Sequence, residues 1–197
     1  MDERELKAVV PDPDQLRAAL KRAGGVAGFA GMMTDRRFDR DSELLVQDQV
    51  LRVRRYESTD RRSRVRITWK GPVRVDRGYK LRPEIEVEAG DGSGAPKDLI
   101  AALGYRTIQR IDRYVEYYTV AGATARLEWY PRMDVLLEVE GGPDAIEAAI
   151  RATGLEREAF TADALPVFVA SYERRTGRRA AISVDELEGD PPSWPAR

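Results

Sequence analysis

Acidic and basic residues recur in pairs, two positions apart, along several segments of the sequence. The acidic pairs are Glu3/Glu5, Glu84/Glu86 and Glu138/Glu140, and the basic pairs are Arg52/Arg54 and Arg64/Arg66. Carboxylate pairs suit hard divalent cations such as Mg²⁺ and Mn²⁺, which take oxygen ligands. Rows of arginine suit bidentate contacts to phosphate. The spacing therefore predicts a site that binds a divalent metal together with a polyphosphate.

The residue types that are missing narrow the chemistry further. The 197 residues include no histidine and no cysteine, which excludes thiolate and imidazole metal sites, disulfides and Ser-His-Asp catalysis. The net charge of −1 argues against a general nucleic-acid surface, and apolar runs are too short to span a membrane. Because the N-terminus is acidic and unlike a signal peptide, we expect a cytoplasmic protein without nucleic-acid or membrane partners.

Strands must position these charge pairs, because residues two apart lie on the same face of a β-strand. Alternation predicts eight strands, at residues 3–9, 43–46, 49–56, 64–69, 79–87, 108–119, 124–130 and 135–140. For any single strand, a charged face exposed to solvent is the more ordinary explanation of the alternation, and the inward interpretation depends on the set of like-charged pairs taken together. Short turns favour an antiparallel sheet, and eight strands are enough to close a barrel whose charged faces line its interior.

Helices are predicted from capping residues and apolar stripes, at residues 13–23, 96–103, 143–153 and 165–176. The fold class is therefore α+β, a closed antiparallel eight-stranded barrel with flanking helices. The length fits one domain at residues 1–182. Residues 183–197 are acidic and rich in proline, so we expect a disordered tail there.

Several motifs follow one another in the order known from one family. Residues 3–7 form Glu-x-Glu-x-Lys, and the later motifs lie at residues 35–39, 51–54, 64–72, 82–86 and 136–141. In these motifs the chain resembles the CYTH superfamily, the triphosphate tunnel metalloenzymes. That superfamily includes class IV adenylate cyclases, thiamine triphosphatases and inorganic triphosphatases. The resemblance implies an eight-stranded tunnel with acidic and basic side chains projecting inward, in agreement with the strand phases.

The resemblance also implies roles for individual residues. The implied ligands of Mg²⁺ or Mn²⁺ are Glu3, Glu5, Glu128, Glu138 and Glu140, with Glu128 standing where the family usually has Asp. The implied triphosphate-binding residues are Lys7, Arg52, Arg54, Arg66, Lys70, Arg82 and Arg113. Catalysis is assigned to Glu5, Lys7, Glu138 and Glu140. In this predicted lumen, acids and bases nearly balance.

Two positions depart from the family pattern. The family's Lys-x-Arg is replaced by a segment in which Arg110 and Arg113 lie in opposite strand phase, so regular geometry lets only one face the tunnel. Ile111 and Val115 share a face with Arg113, which favours Arg113. Arg37 replaces the aromatic residue expected before Phe38, which would alter how that loop closes the tunnel mouth.

These features predict an enzyme, a divalent-metal-dependent triphosphatase acting on inorganic triphosphate, thiamine triphosphate or a nucleoside triphosphate. The alternative is a class IV adenylate cyclase that forms cyclic AMP and pyrophosphate. Such cyclases carry His-Phe upstream of Glu-x-Glu-x-Lys, whereas Met1 and Asp2 precede Glu3 here, so hydrolysis is favoured. A third interpretation is a non-catalytic polyphosphate-binding module. The resemblance also allows a homodimer.

Overall fold

The computed structural model describes residues 2–60, 62–90 and 94–195. Within them the chain forms nine strands and four helices. The strands are β1 (Asp2–Val9), β2 (Val26–Asp39), β3 (Val50–Ser58), β4 (Ser63–Lys70), β5 (Arg74–Asp76), β6 (Tyr79–Glu88), β7 (Arg106–Val120), β8 (Ala123–Trp129) and β9 (Leu136–Glu140). The helices are α1 (Pro13–Arg22), α2 (Ala95–Ala102), α3 (Pro143–Thr153) and α4 (Leu165–Thr176).

Eight of the strands form a closed antiparallel barrel. Their order is β1-β9-β8-β7-β2-β3-β4-β6, and β6 pairs back to β1 with Glu3 opposite Arg82 and Glu5 opposite Lys80. The short strand β5 pairs with the outer part of β6. Closure removes the exposed edges of the eight strands and creates an interior. The predicted α+β class and closed eight-stranded barrel are confirmed.

One predicted strand is wrong, and a barrel strand was missed. Residues 43–46 lie in a loop with a 3₁₀ turn at Leu45–Gln47. The buried carboxylate of Asp39 fixes this loop, because it accepts hydrogen bonds from the backbone N–H groups of Arg40, Leu44 and Leu45 at 2.7, 3.1 and 3.0 Å. The eighth barrel strand is instead β2, whose glycines and β-bulge obscure the alternating pattern.

The barrel wall is apolar outside and charged inside. On β1, Leu6 belongs to the hydrophobic core beneath the helices, whereas Glu5 and Lys7 line the lumen. Helices α1 and α3 cover the outer face of β1, β8 and β9, and α2 covers part of β3 and β4. The large hydrophobic core therefore lies between the wall and the helices. None of these helices, within the described part of the chain, has the length and apolar character that a bilayer crossing requires.

An aromatic cluster fills one end of the lumen. The ring of Phe29 lies edge-on to Tyr56 and Tyr117, at centroid distances of 5.4 and 6.0 Å, and Met33 and Val115 pack beside them. At the opposite end, which we call the rim, the loop between β2 and β3 and the first turn of α4 surround the lumen. The free space inside the barrel lies on the rim side of this cluster.

The segment after Ser183, whose composition predicts disorder, packs against the barrel as far as it is described. Residues Val184–Leu187 form a 3₁₀ turn with a capping box between Ser183 and Glu186. Leu187 is buried, and Ser193 donates a hydrogen bond to the carbonyl of Tyr130 at 3.2 Å. These local contacts depend on the folded barrel, so the composition alone does not reveal them.

Candidate functional site

A cavity of about 340 Å³ occupies the lumen between the aromatic cluster and the rim. Among the described residues, the cationic side chains that line it are Lys7, Arg37, Arg52, Arg54, Lys70, Lys80, Arg82, Arg113 and Arg126. The anionic ones are Glu3, Glu5, Asp35, Asp48 and Glu138. These nine cations and five carboxylates leave an excess of four positive charges. Three further carboxylates adjoin this lining: Glu84 contacts Lys70, Glu128 contacts Arg113, and Glu140 lies beside Glu3 and Glu138. The near balance predicted for the whole lumen therefore stays a prediction.

Asp35 holds three arginines in the middle of the lumen. Its carboxylate accepts two hydrogen bonds from Arg54, at 2.7 and 2.8 Å, and one from Arg113 at 2.6 Å. Arg52 lies 3.7 Å away. Burial alone would raise the pKa of Asp35, but the three guanidinium groups hold this pKa well below its usual range. Asp35 therefore stays ionised and orients the basic side chains around it.

Two of these guanidinium groups have free hydrogen-bonding capacity. The Nε atoms of Arg52 and Arg113 are buried and have no hydrogen-bond partner within the described residues. Arg52 also donates a longer bond of 3.3 Å to the hydroxyl of Thr68. Buried N–H donors without partners are rare in folded proteins, and an anion in the cavity would satisfy them.

Three carboxylates converge beside this basic region. Oxygen atoms of Glu3, Glu138 and Glu140 lie within 4.8 Å of one another. Burial and the charge of Glu138 raise the pKa of Glu140 to about 7, and burial raises the pKa of Glu3. Against the effect of burial, the two partners of Glu138, Arg126 and Lys7, hold its pKa well below the usual range, and Glu3 pairs with Lys70. Carboxylates that are pooled this closely repel one another, and a bound cation would offset the repulsion that remains. Oxygen ligands of this kind fit Mg²⁺ or Mn²⁺.

Lysine side chains connect the acidic and basic regions. Lys7 forms ion pairs with Glu138 and with Glu5, the latter at 2.9 Å. Lys80 contacts Glu5 at 2.5 Å, and Lys70 pairs with Glu3. Glu5 is thus bound by two lysines and does not belong to the three-carboxylate group, although it was predicted as a metal ligand. Lys7 and Lys70, which the sequence predicts as triphosphate ligands, both line the cavity.

Glu128 is also held away from the three-carboxylate group. Its side chain is fully buried and accepts hydrogen bonds from Arg113, Arg126 and the hydroxyl of Tyr130 at 3.0, 2.8 and 2.7 Å. Burial opposes ionisation, but the two arginines lower the pKa of Glu128. In this structure Glu128 orients arginines, and it does not share the position of the other predicted metal ligands.

The remaining predicted phosphate ligands lie at the periphery. Arg82 lines the cavity at the rim, where it donates to the carbonyls of Gly71 and Asp48, both at 2.6 Å. Arg66 lies outside the cavity and pairs with Glu86 and Glu88 at 2.5 and 2.8 Å. Strand phase places Arg66 on the inner face, where its guanidinium carbon lies 5.7 Å from the ring centroid of Tyr56 in the aromatic cluster.

The structure distinguishes Arg113 from Arg110. Arg113 is buried in the lumen, whereas Arg110 lies on the outer side and pairs with Asp112 and Asp185 at 2.7 and 2.9 Å. The phase argument from Ile111 and Val115 thus selects the arginine that faces the cavity.

Sequence reasoning missed several residues of the cavity. The missed charged side chains are Asp35, Arg37, Asp48, Lys80 and Arg126. Lys80 and Arg126 lie two positions from Arg82 and Glu128 and share a strand face with them, so strand phase could have found them. Asp35 and Arg37 belong to β2. Because the alternation pattern does not predict this strand, it could not predict that their side chains point inward.

Comparisons with known proteins support the fold. No protein-family model and no curated protein matches the sequence. Among solved structures, the PH1012 protein of Pyrococcus horikoshii OT3 aligns with a TM-score of 0.66 and 21% identity, covering 84% of this chain and 98% of that one. A candidate adenylate cyclase from Vibrio parahaemolyticus aligns with a TM-score of 0.69 and 16% identity, covering 85% and 97% of the two chains.

A third similar structure is a candidate adenylyl cyclase from Hippeastrum, for which a dominant triphosphatase activity is described. It aligns with a TM-score of 0.59 and 15% identity, covering 86% of this chain and 96% of that one. At these identities the likeness shows the fold, a closed eight-stranded antiparallel barrel, which is consistent with the CYTH resemblance of the motifs.

Proposed function

We propose that the protein is a divalent-metal-dependent triphosphatase that binds its substrate inside the barrel. The observation that carries this proposal is the juxtaposition of two regions in one cavity. Guanidinium groups with unpartnered N–H donors lie on one side, and three pooled carboxylates lie on the other. A triphosphate needs the first region for its oxygens, and the second suits the cation that accompanies it.

In this proposal, basic residues of the lumen bind the triphosphate and acidic residues bind the metal. Arg52 and Arg113 donate to phosphate oxygens, while Asp35 keeps their planes fixed. Glu3, Glu138 and Glu140 would hold Mg²⁺ or Mn²⁺. A bound cation of this type neutralises phosphate charge and acidifies water. In hydrolysis a water oxygen attacks the terminal phosphorus, the bond to the bridging oxygen breaks, and phosphate and diphosphate leave.

Phosphate release tests this proposal. The purified protein is incubated with inorganic triphosphate, thiamine triphosphate or ATP, in Mg²⁺ or Mn²⁺ and in EDTA. We expect metal-dependent release of phosphate, and we expect Glu138→Gln with Glu140→Gln to abolish it. Glu158→Gln, at an exposed residue that does not line the cavity, is the matched control and keeps full activity.

Other outcomes would support the alternatives. Cyclic AMP and pyrophosphate as the main products from ATP would favour an adenylate cyclase, the activity after which two of the similar structures are named. Tight triphosphate binding without turnover in any metal would favour a non-catalytic binding module. Either result overturns the triphosphatase proposal while leaving the anion-binding cavity in place.

A further inference from the structure

Arg37 differs from the other cations of the cavity in having no carboxylate partner. Within the described residues, each of the eight other lining cations has a carboxylate oxygen within 4.0 Å. Arg37 has none in that range. Its one hydrogen bond goes from Nη1 to the side-chain carbonyl of Gln109 at 3.0 Å, and its Nε atom is buried without a partner.

The surroundings of Arg37 disfavour its positive charge. Burial, together with the neighbouring guanidinium groups of Arg52 and Arg113, lowers the pKa of Arg37 to about 10, although Asp35 acts in the opposite direction. A partly buried charge without a counterion costs free energy. An anion bound next to Arg37 would offset that cost and would satisfy the free Nε–H donor.

The position of Arg37 in the barrel indicates which part of a bound substrate it would contact. It lies two residues beyond Asp35 on β2, toward the loop that forms the rim, and it pairs with Arg52 across the β2–β3 register. With the reacting phosphate beside Glu3, Glu138 and Glu140, the other end of a linear triphosphate extends toward the rim. Arg37 is placed for that non-reacting end.

The rim offers little to an organic group at the same place. Among the described lining residues the one aromatic ring is that of Tyr130, which lies 5.7 Å from the guanidinium carbon of Arg113 and whose hydroxyl donates to Glu128. In the part of the chain that the structure describes, no carboxylate forms an ion pair with Arg37, and no second aromatic ring lines the cavity. A nucleobase or a cationic thiazolium would therefore gain little from this part of the cavity.

We propose that Arg37 is a specificity-determining residue that binds the non-reacting terminal phosphate and so favours inorganic triphosphate over its organic esters. This inference rests on the proposed function. A free terminal phosphate carries one more ionisable oxygen than an esterified one, so it gains more from an unpaired guanidinium. The extra cation thus selects the substrate by the charge at its far end.

The test compares two substrates in matched variants. The specificity constant kcat/KM is measured for inorganic triphosphate and for ATP in the wild type, Arg37→Gln and Arg37→Lys. We expect Arg37→Gln to lower kcat/KM for inorganic triphosphate about tenfold or more, mainly through KM, and to change that for ATP less than about threefold. Arg37→Lys keeps the positive charge but loses the planar guanidinium group that can donate two hydrogen bonds to one phosphate. We expect its kcat/KM for inorganic triphosphate to lie between those of the wild type and Arg37→Gln.

Arg36→Gln is the matched control, since Arg36 is the neighbouring arginine on β2 and lies beside Asp112 outside the cavity. It should leave both substrates unaffected. Equal losses for both substrates in Arg37→Gln, or no loss for either, would overturn the proposal. Thermal melts verify folding, and Arg37→Lys carries the comparison if Arg37→Gln does not melt cooperatively.

Calorimetric binding of inorganic triphosphate separates this proposal from the proposed function. If the wild type binds triphosphate without hydrolysing it and Arg37→Gln binds it about tenfold more weakly, the role of Arg37 stands and the triphosphatase does not. If the wild type binds no triphosphate, both proposals fail. If turnover occurs but Arg37→Gln binds as the wild type does, only the role of Arg37 fails.

Discussion

Asp35 on β2 and Arg54 on β3 form a bidentate ion pair, with N–O distances of 2.7 and 2.8 Å, that is almost completely enclosed in the lumen. The pair lies at one register position of the two strands. Its second carboxylate oxygen also accepts from Arg113 of β7. One aspartate thus connects three strands and sets the direction of the guanidinium groups that face the cavity.

We expect Asp35→Asn to destabilise the protein by about 3–5 kcal/mol, because Arg54 and Arg113 would lose their buried counterion. Urea denaturation followed by circular dichroism measures this change. Asp14→Asn removes an exposed carboxylate that pairs with Arg17 and should cost less than about 1 kcal/mol. A loss in Asp35→Asn as small as that in Asp14→Asn would contradict the central role of Asp35.

Glu140 makes the stability of the metal-free protein depend on pH. Its folded-state pKa of about 7 lies above the usual value of 4.5, so the folded state binds this proton more tightly than the unfolded state does. The resulting penalty is fully present above pH 7 and is relieved as the pH falls toward 4.5.

In EDTA, Glu140→Gln should therefore be more stable than the wild type at pH 8, by about 1–3 kcal/mol, and should differ little from it at pH 4.5. Denaturation at the two pH values measures both differences. Added Mn²⁺ should reverse the order at pH 8, because the metal stabilises only the protein that retains its carboxylates. A variant that is less stable in EDTA at pH 8 would argue against pooled carboxylates.

Arg52→Gln should weaken binding of inorganic triphosphate about tenfold or more, because the guanidinium group of Arg52 lines the cavity and its buried Nε–H has no partner within the described residues. Isothermal titration calorimetry gives the dissociation constant. Arg110→Gln makes the same substitution on the outer side of the barrel and should leave the constant unchanged. Equal effects of the two substitutions would mean that the binding site is not in the lumen.

Gly31→Ala should destabilise the barrel by about 2 kcal/mol or more, since a Cβ atom there would lie 2.2 Å from the carbonyl oxygen of Glu57 on the paired strand. Gly142→Ala is the control, because its added Cβ meets nothing within 4 Å. Melting temperatures of the two variants compare them. A Gly31→Ala protein that melts with the wild type would show that β2 and β3 can separate at low cost.

Strand phase predicted much of the lumen, because alternation is a local property that the sequence displays directly. Lys7, Arg52, Arg54 and Arg113 all lie where the alternation of their strands puts them. The exception is β2, in which glycines and a bulge interrupt the pattern, so Asp35 and Arg37 were not placed.

Pairing inside the lumen is the part that the sequence could not provide. Glu3, Glu128 and Glu140 look alike in sequence, but only two of them meet in the three-carboxylate group. Which carboxylate meets a cation and which meets another carboxylate depends on the stagger between strands, a long-range property of the closed barrel.

The division between an apolar exterior under the helices and a charged interior has a consequence for how such a protein can change. The hydrophobic contacts that favour folding lie on the outer wall, and the groups that would contact a ligand point the other way. Inside the lumen, side-chain charges and dipoles that are already oriented would replace the water molecules around a bound ion. Substitutions of the inward side chains can therefore change which anion binds, while the apolar outer layer that stabilises the barrel stays unchanged.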